Sequence, residues 1–429
     1  MSVKESKDFK VAILGGGMGG LCLAVGLLKS GIKIDVFEQA EAFGEIGAGI
    51  GIGPNGIQAL RKLGVLDEVL RISDEPLAMR TFIFKSGLPD HSLIYDYPGM
   101  ETDLGLGVHR ARFLDTFIQL LPPEVAHFNK KCLKVLADDD GATAFFEDGS
   151  SHTADIVIGC DGIKSVTRTA VLGKVIEPKF SGTIVFRGLI PIDAGVKAIG
   201  PDILDRPHGY MGPNKHIIVF PINSQETVNV VVFSTRTPNA DQLGPQSGQP
   251  WVIPSTQAEM LSHYEGWGPQ VVDLLNNITS PSKWFLHMLD PPLETYVNGN
   301  VAILGDAAHG MLPHMGSGAG QAIEDAYILS ELLSLPQTTK RNLKLVLKAY
   351  DYVRRPRANK VLTRSRDVGE IYEFRGPSGD NQTGIRKDLE NMWSFVWHHD
   401  LGDDVRTATE YLEEISAQSP SPQHRISSL

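Results

Sequence analysis

The chain has 429 residues, enough for two domains of roughly 100–200 residues each. Hydrophobic residues make up 42% and charged residues 21%, the mix of a soluble globular protein with a substantial core. A net charge of −11 excludes a duplex nucleic-acid binder, which needs a basic face, and no apolar run reaches the ~18 residues of a membrane span.

The start, MSVKESKDFK, is polar and lacks the apolar core of a secretion signal. Residues 9–14 (FKVAIL) read as a buried strand, 18–30 as a helix closed by Gly31, and 33–38 (KIDVFE) as a second strand, which completes a βαβ unit. Pro54 opens another helix, PNGIQALRKLG, at a position where its missing N–H costs nothing. Residues 76–104 are irregular, 112–121 are helical in pattern, and 154–160 (ADIVIGC) form a central strand ending at Asp161-Gly162. From 180 to about 235 the texture becomes short β-like runs, TIVFRGLI, GYMGPNKHIIVFPI and TVNVVVFS, which predict a second, sheet-rich domain. Residues 236–256 read as a loop or insert, and the first texture returns at Val301. Helical patterns dominate from 320 to about 416, and the tail SAQSPSPQHRISSL reads as disordered. No internal repeat is present.

This pattern divides the chain into a discontinuous nucleotide-binding domain (1–75, 105–179 and 285–365), a substrate domain (76–104 and 180–284), a C-terminal helical region (366–416) and a tail (417–429). Three cysteines, Cys22, Cys132 and Cys160, show no metal or CxxC spacing, which points to a reduced, cytoplasmic setting. The final SSL lacks the basic residue of a peroxisomal SKL address.

Three stretches carry chemistry. The first is the run 15–20, GGGMGG, a GxGxxG through Gly15, Gly17 and Gly20. Gly15 permits the tight turn, Gly17 admits a pyrophosphate against the backbone, and Gly20 lets helix pack close on strand. The helix start offers free N–H groups and a positive dipole end to the anion. Glu38 ends the second strand 23 residues after Gly15, where it can bind an adenosine ribose or stand as a solvated strand-end acid. A second match, 51–56 (GIGPNG), is set aside: no clean strand precedes it, and Asp74 and Glu75 end no strand. The other stretches are the run 160–168, CDGIKSVTR, and the run 305–309, GDAAH.

In this order the three resemble the fingerprint, DG and GD motifs of single-component (group A) FAD-dependent aromatic hydroxylases. The run from Ala302, AILGDAAHGMLPHMGSGAGQAIEDA, is similar to their flavin-facing segment. With the HRAR run at 109–112, the match extends from about residue 9 to 365, and it is most similar to the salicylate hydroxylase branch and its fungal relatives. The resemblance implies an α/β fold: a Rossmann-like FAD-binding domain, discontinuous, with a β-sheet-rich substrate domain and C-terminal helices. It implies that Asp306 binds the ribityl chain, and that Pro313, Gly318, Ala319 and Gly320 face the flavin ring. Exposed N–H groups there would stabilise the charge of the reduced ring. It also implies cofactor contacts at Ala48, Gly49 and Asp161. Either Arg110 or Arg112 fits the pyrophosphate; the HR pair favours Arg110, though the family's contact could fall on Arg112.

The reaction so implied reduces FAD with transiently bound NAD(P)H, forms a flavin C4a-hydroperoxide with O2 and hydroxylates a phenolic aromatic acid, with loss of CO2 for a salicylate-type substrate. Arg187, in VFRGL, reads as the anchor for an anionic substrate oxygen or as an edge arginine. His216 and Phe220 share one sheet face by period-2 alternation and are substrate candidates; His216 reads as a base or as a structural histidine. His314 lies beside the flavin-facing glycines and reads as catalytic or as loop packing. The pairs His309/His314 and His398/His399 lack a completing carboxylate or cysteine, so no metal is expected. Partners read from the sequence are an aromatic substrate, O2 and NAD(P)H, with a homodimer left open. Alternatives are ring hydroxylation or dearomatisation of a polyketide phenol without CO2 loss, a nicotinamide-dependent dehydrogenase, and a flavin-binding redox module without turnover.

Overall fold

In KVAIL every residue after the lysine is buried, and this segment, Lys10–Leu14 (β1), forms the middle of a six-stranded sheet. The computed structural model describes residues 7–43, 49–73, 77–79, 81–222, 226–235, 244–245 and 248–418. From β1 the chain enters a helix, Met18–Lys29 (α1), and returns in a parallel strand, Lys33–Phe37 (β2). The remaining parallel strands are Ile156–Gly159 beside β1, Val301–Ile303 beyond it, and Ala126–His127 next to β2; Val297–Asn298 closes one edge in the antiparallel sense. A parallel sheet must be covered on both faces, which is why these strands read as unbroken apolar runs. On one face α1 lies under the helix Gly318–Ser334, and ten of its twelve residues are buried.

The second unit is an eight-stranded sheet. Its order is Val252–Pro254, Ser282–Met288, Lys179–Pro191, Thr227–Thr235, Lys215–Ile222, His208–Gly212, Ile83–Ser86 and Leu93–Asp96. All its pairings are antiparallel except that of His208–Gly212 with Ile83–Ser86. Alternation splits its side chains cleanly. Ile184, Phe186, Ile217, Val219, Val228 and Val230 fill a core on one face. Arg187, His216, Phe220 and Phe233 occupy the other, where Arg187 Nη2 reaches the carbonyl of Gly49 at 3.4 Å.

Several sequence boundaries shift. The helix predicted over 112–121 is Arg110–Ile118, because Arg110 follows directly on the strand Leu104–His109. The loop read over 236–256 contains the edge strand Val252–Pro254; residues 236–243, 246 and 247 lie outside the described residues. Helix Leu401–Gln418 runs through the first two residues assigned to the tail, and the rest of the tail lies outside the described residues. The discounted GIGPNG match begins inside a short strand, Gly49–Ile52, and runs into the helix Pro54–Lys62. That strand pairs antiparallel with Leu104–His109, away from the parallel sheet, and Asp74 and Glu75 lie outside the described residues.

Helix Leu343–Tyr372 runs past both units and carries Arg354, whose guanidinium is fully buried. Arg354 Nη1 donates to Glu324 Oε2 (2.6 Å) and Nε to Asp325 Oδ1 (2.7 Å), while Nη2 donates to the side chain of Gln321 (2.9 Å). Arg357 donates to both Glu324 oxygens and to the carbonyls of Phe395 and Val396. Burial alone would raise the two acids. Arg354 and Arg357 pull Glu324 down to about 2, and His309 with Arg354 does the same for Asp325.

Removing one partner of such a group leaves buried charge uncompensated. Arg354→Met is therefore expected to cost about 3–5 kcal/mol in urea unfolding. Because both carboxylates are depressed in the fold, their stabilisation is complete above the ordinary acid range near pH ~4 and is lost as pH falls towards 2. Acid unfolding curves of the wild type and Arg354→Met converging in that window would bear this out.

Candidate active site

The first glycine loop leaves β1 at Gly15, whose φ of +109° suits a residue without a side chain. A Cβ at Gly15 would strike the Cys160 carbonyl, and one at Gly20 the Gly15 carbonyl, so strand, loop and helix meet backbone to backbone. α1 starts behind Gly17 with no side-chain cap, which leaves its first N–H groups available. Glu38, half-buried at the end of β2, leans over this loop: Oε2 accepts from Gly16 N (2.8 Å) and Oε1 from Ala40 N (2.9 Å).

Asp161 bonds to its own loop. Its carboxylate accepts from Ser165 Oγ (2.6 Å), Val166 N (2.8 Å), and Thr167 N and Oγ1 (both 3.0 Å). It staples its own loop. Arg168, missed by sequence reasoning, ties this loop to the GD segment: buried, it donates to the carbonyls of Ala307 (3.1 Å), Ile163 (2.8 Å) and Ile176 (3.0 Å).

At the tip of Val301–Ile303, Gly305 turns with φ +60° and its N–H donates to Asp325 (3.0 Å), leaving the Asp306 side chain exposed. Asp325 also accepts from His309 Nε2 (2.6 Å). Pro313 opens a short 3-10 turn and is exposed. The helix Gly318–Ser334 then begins without a side-chain cap, so the N–H groups of Gly318, Ala319 and Gly320 stand at an open, positive helix end. Gly320 packs against the Asn55 amide, which donates to Glu324 (2.7 Å).

The two candidate arginines separate. Arg112 is exposed, whereas Arg110 is half-buried. Burial lowers the Arg110 pKa, and Asp306 close by offsets part of that. Ala48 lies outside the described residues, and Gly49 lies beneath Arg187.

The sheet face opposite these loops carries Arg187, half-buried, with its guanidinium 5.4 Å from the centre of the Trp284 ring and Nε lacking a hydrogen-bond partner. Burial, with Arg110 as a like-charged neighbour, lowers its pKa to about 10. His216 and Phe220 share this face, as alternation required, but His216 is sealed: it stacks on Phe233 (4.0 Å, 12°) and pairs with Glu373 Oε1 (3.0 Å). Asn229, opposite Phe220, is fully buried with neither amide atom paired. His314 Nδ1 lies 3.3 Å from His216 Nε2, so two histidines named from sequence are in contact. Glu373, the third member, carried no sequence signal beyond its place in IYEFR. A cleft of about 210 Å³ runs along His314, Glu373, Glu370, Arg366 and Lys179.

His398 and His399 pair separately with Asp103 (2.7 Å) and Asp404 (2.8 Å), and no group of three potential ligands gathers among the described residues. The donor set fits a dinucleotide: two uncapped helix starts, an acid over the first glycine loop, and an exposed acid at a strand tip beside a half-buried arginine.

Fold and site together are those of an FAD-dependent monooxygenase. The chain belongs to the family described as FAD binding domain, which matches residues 8–365. It is 39% identical to a salicylate hydroxylase of Pseudomonas putida over 95% of this chain and 96% of that one. It is 36% identical to a 6-methylsalicylate 1-monooxygenase of Aspergillus terreus over 97% and 95%. A solved salicylate hydroxylase–substrate complex is 35% identical with a TM-score of 0.84, covering 94% of this chain and 98% of that one. No helix among the described residues is long and apolar enough to cross a membrane.

Proposed function

We propose that this enzyme hydroxylates a phenolic acid of the salicylate type at the carbon bearing the carboxylate, with release of CO2. The observation that carries this is Arg187: a half-buried cation with an unmet donor, on the sheet face opposite the cofactor loops. Buried polar groups are ordinarily paired, and an anionic substrate oxygen would complete this one.

The N–H groups at the start of α1 would hold the FAD pyrophosphate, with Arg110 beside it, and Glu38 the adenosine ribose. Asp306 would bind the ribityl hydroxyls, and the N–H groups of Gly318, Ala319 and Gly320 the edge of the ring that gains charge on reduction. When bound and reduced, the cofactor supplies the activated oxygen from O2. The protein's part is to orient the aromatic ring, keep water away and manage its phenolic proton. Ile218, Phe220 and Val231 offer an apolar floor, and Arg187 sets the ring's anionic edge.

Phe220 cannot donate a hydrogen bond to a phenolate, so a second polar handle on the substrate has to hold it. Salicylate should therefore exceed phenol and salicylaldehyde in kcat/KM by roughly tenfold or more, since one charged hydrogen bond is worth ~1.5–3 kcal/mol. Coupled NAD(P)H oxidation with the product identified measures this; equal coupled turnover of the uncharged compounds would favour hydroxylation without CO2 loss. Arg187→Ala should lose most kcat/KM while retaining FAD, and wild-type kcat/KM in that variant would move the anion anchor elsewhere. Asp306→Ala should weaken FAD binding by ~1.5–3 kcal/mol, read by fluorescence titration of the deflavinated protein. Unchanged affinity there would remove Asp306 from the cofactor site.

A further inference from the structure

A phenol attacks an electrophilic oxygen best after losing its proton, so the site needs somewhere to put that proton. Three buried groups in a row stand beside the flavin-facing segment. Glu373, at the end of the long helix, places Oε1 3.0 Å from His216 Nδ1, and His216 Nε2 lies 3.3 Å from His314 Nδ1. Glu373 and His216 are each 1% exposed and His314 is 7% exposed. Thr235 Oγ1 donates to the same Glu373 oxygen (3.1 Å), and the Tyr264 hydroxyl fixes the strand by donating to the His216 carbonyl (3.0 Å).

The hydrogen bonds order one another. An ionised Glu373 can only accept, so His216 carries its proton on Nδ1 and leaves Nε2 bare. That bare nitrogen accepts from His314 Nδ1–H, which leaves the lone pair of His314 on Nε2. That edge of the ring lies against Gly369, where a Cβ would stand 2.6 Å from Nε2, and both residues line the cleft described above. When Nε2 takes a proton, the chain can turn over: Nδ1–H of His314 passes to His216 Nε2, and Nδ1–H of His216 passes to Glu373 Oε1. One proton enters, one carboxylate is neutralised, both histidines end neutral in the opposite tautomer, and no electrons move.

We infer that Glu373 is the sink for the substrate's phenolic proton, reached through His216 and His314, and that it sets the tautomer which makes His314 Nε2 the accepting atom. This rests on the phenolic-acid reading above. Glu373 is a positioning residue, since it acts through the two histidines.

The surroundings suit a chain whose only charge sits on the carboxylate. Burial lowers His216 well below the usual histidine value and, with His216 adjacent, takes His314 down to about 3. Burial raises Glu373 despite Arg375, whose Nη2 is 2.9 Å from Oε2 and also pairs with Glu370 (2.8 Å). Tyr372 and Tyr264, the other titratable groups against His216 and Glu373, are kept neutral by burial. The cleft along His314 and Glu370 is walled by the exposed side chains of Lys179 and Arg366 (59% and 45%), so the chain can be reset from solvent.

The test uses the holoenzyme with salicylate, comparing wild type, Glu373→Gln and Glu373→Asp across pH. In the wild type kcat should fall as pH drops through the raised Glu373 value, because a protonated carboxyl cannot take another proton. Glu373→Gln should lower kcat about tenfold or more with salicylate and FAD binding within about twofold, and its acid limb should vanish. Glu373→Asp should keep the limb. A Glu373→Gln enzyme with wild-type kcat, or with reduced kcat and an intact limb, would overturn the inference. If Glu373→Gln does not fold, a Glu373→Asp enzyme that has lost the acid limb would overturn it equally. A wild type that turns over no phenolic acid would instead overturn the functional reading itself.

Discussion

Arg354 holds two adjacent carboxylates, Glu324 and Asp325, where no water reaches, and each carboxylate grips a different part of the fold. Asp325 takes the N–H of Gly305 and the ring of His309, and so fixes the turn that presents Asp306. Glu324 takes Asn55, Gln321 and Arg357, and so indexes the helix behind the second glycine loop against the Pro54–Lys62 helix. Arg357 extends the hold to the carbonyls of Phe395 and Val396 in the C-terminal region. Burial works against the Arg354 charge, but Asp325 and Glu324 raise its pKa above the ordinary arginine value. Charge satisfied on every side in a low dielectric tolerates little displacement.

Around that anchor the two sheets divide the labour by their periodicity. The parallel sheet is buried on both faces and can present chemistry only at its strand tips, where Gly15, Asp161 and Asp306 all sit. The mixed sheet buries one face and leaves the other to meet the loops, so alternate residues are free to be polar. Arg187, His216 and Asn229 are polar on that face, while Ile184, Phe186, Ile217, Val219, Val228 and Val230 fill the apolar face. Arg168 closes the frame by tying the Asp161 loop to Ala307.

Local pattern made much of this legible. The βαβ unit, its glycine turn and Glu38 are encoded within thirty residues, and alternation alone put His216 and Phe220 on one face. The four bonds that Asp161 makes within its own loop left no trace of this kind, because a strand-tip acid reads the same in sequence whether it faces a ligand or staples its loop. Arg354 lies two residues before Pro356, in a helix the sequence gives reason to break there, and its partners are about thirty residues away. Glu373 pairs with a residue 157 positions distant. Neither pairing leaves a periodic trace, since tertiary contacts between charged residues are set by packing and not by spacing.

The two buried ionic groups differ in a way that assigns them different work. Around Arg354 the guanidinium meets two full carboxylates and both the side-chain and main-chain oxygens of Gln321, and both acids are driven below their ordinary range, so neither changes state near neutral pH. Around Glu373 the compensation is thinner. Arg375 is shared with Glu370, the histidines stay neutral, and burial outweighs the rest, which leaves the carboxylate raised. A buried charge that is fully matched is rigid and silent; one that is undermatched sits close to accepting a proton. The first kind fixes the loops at the tips of the parallel strands, and the second lies where the Pro313–Met315 turn meets the eight-stranded sheet.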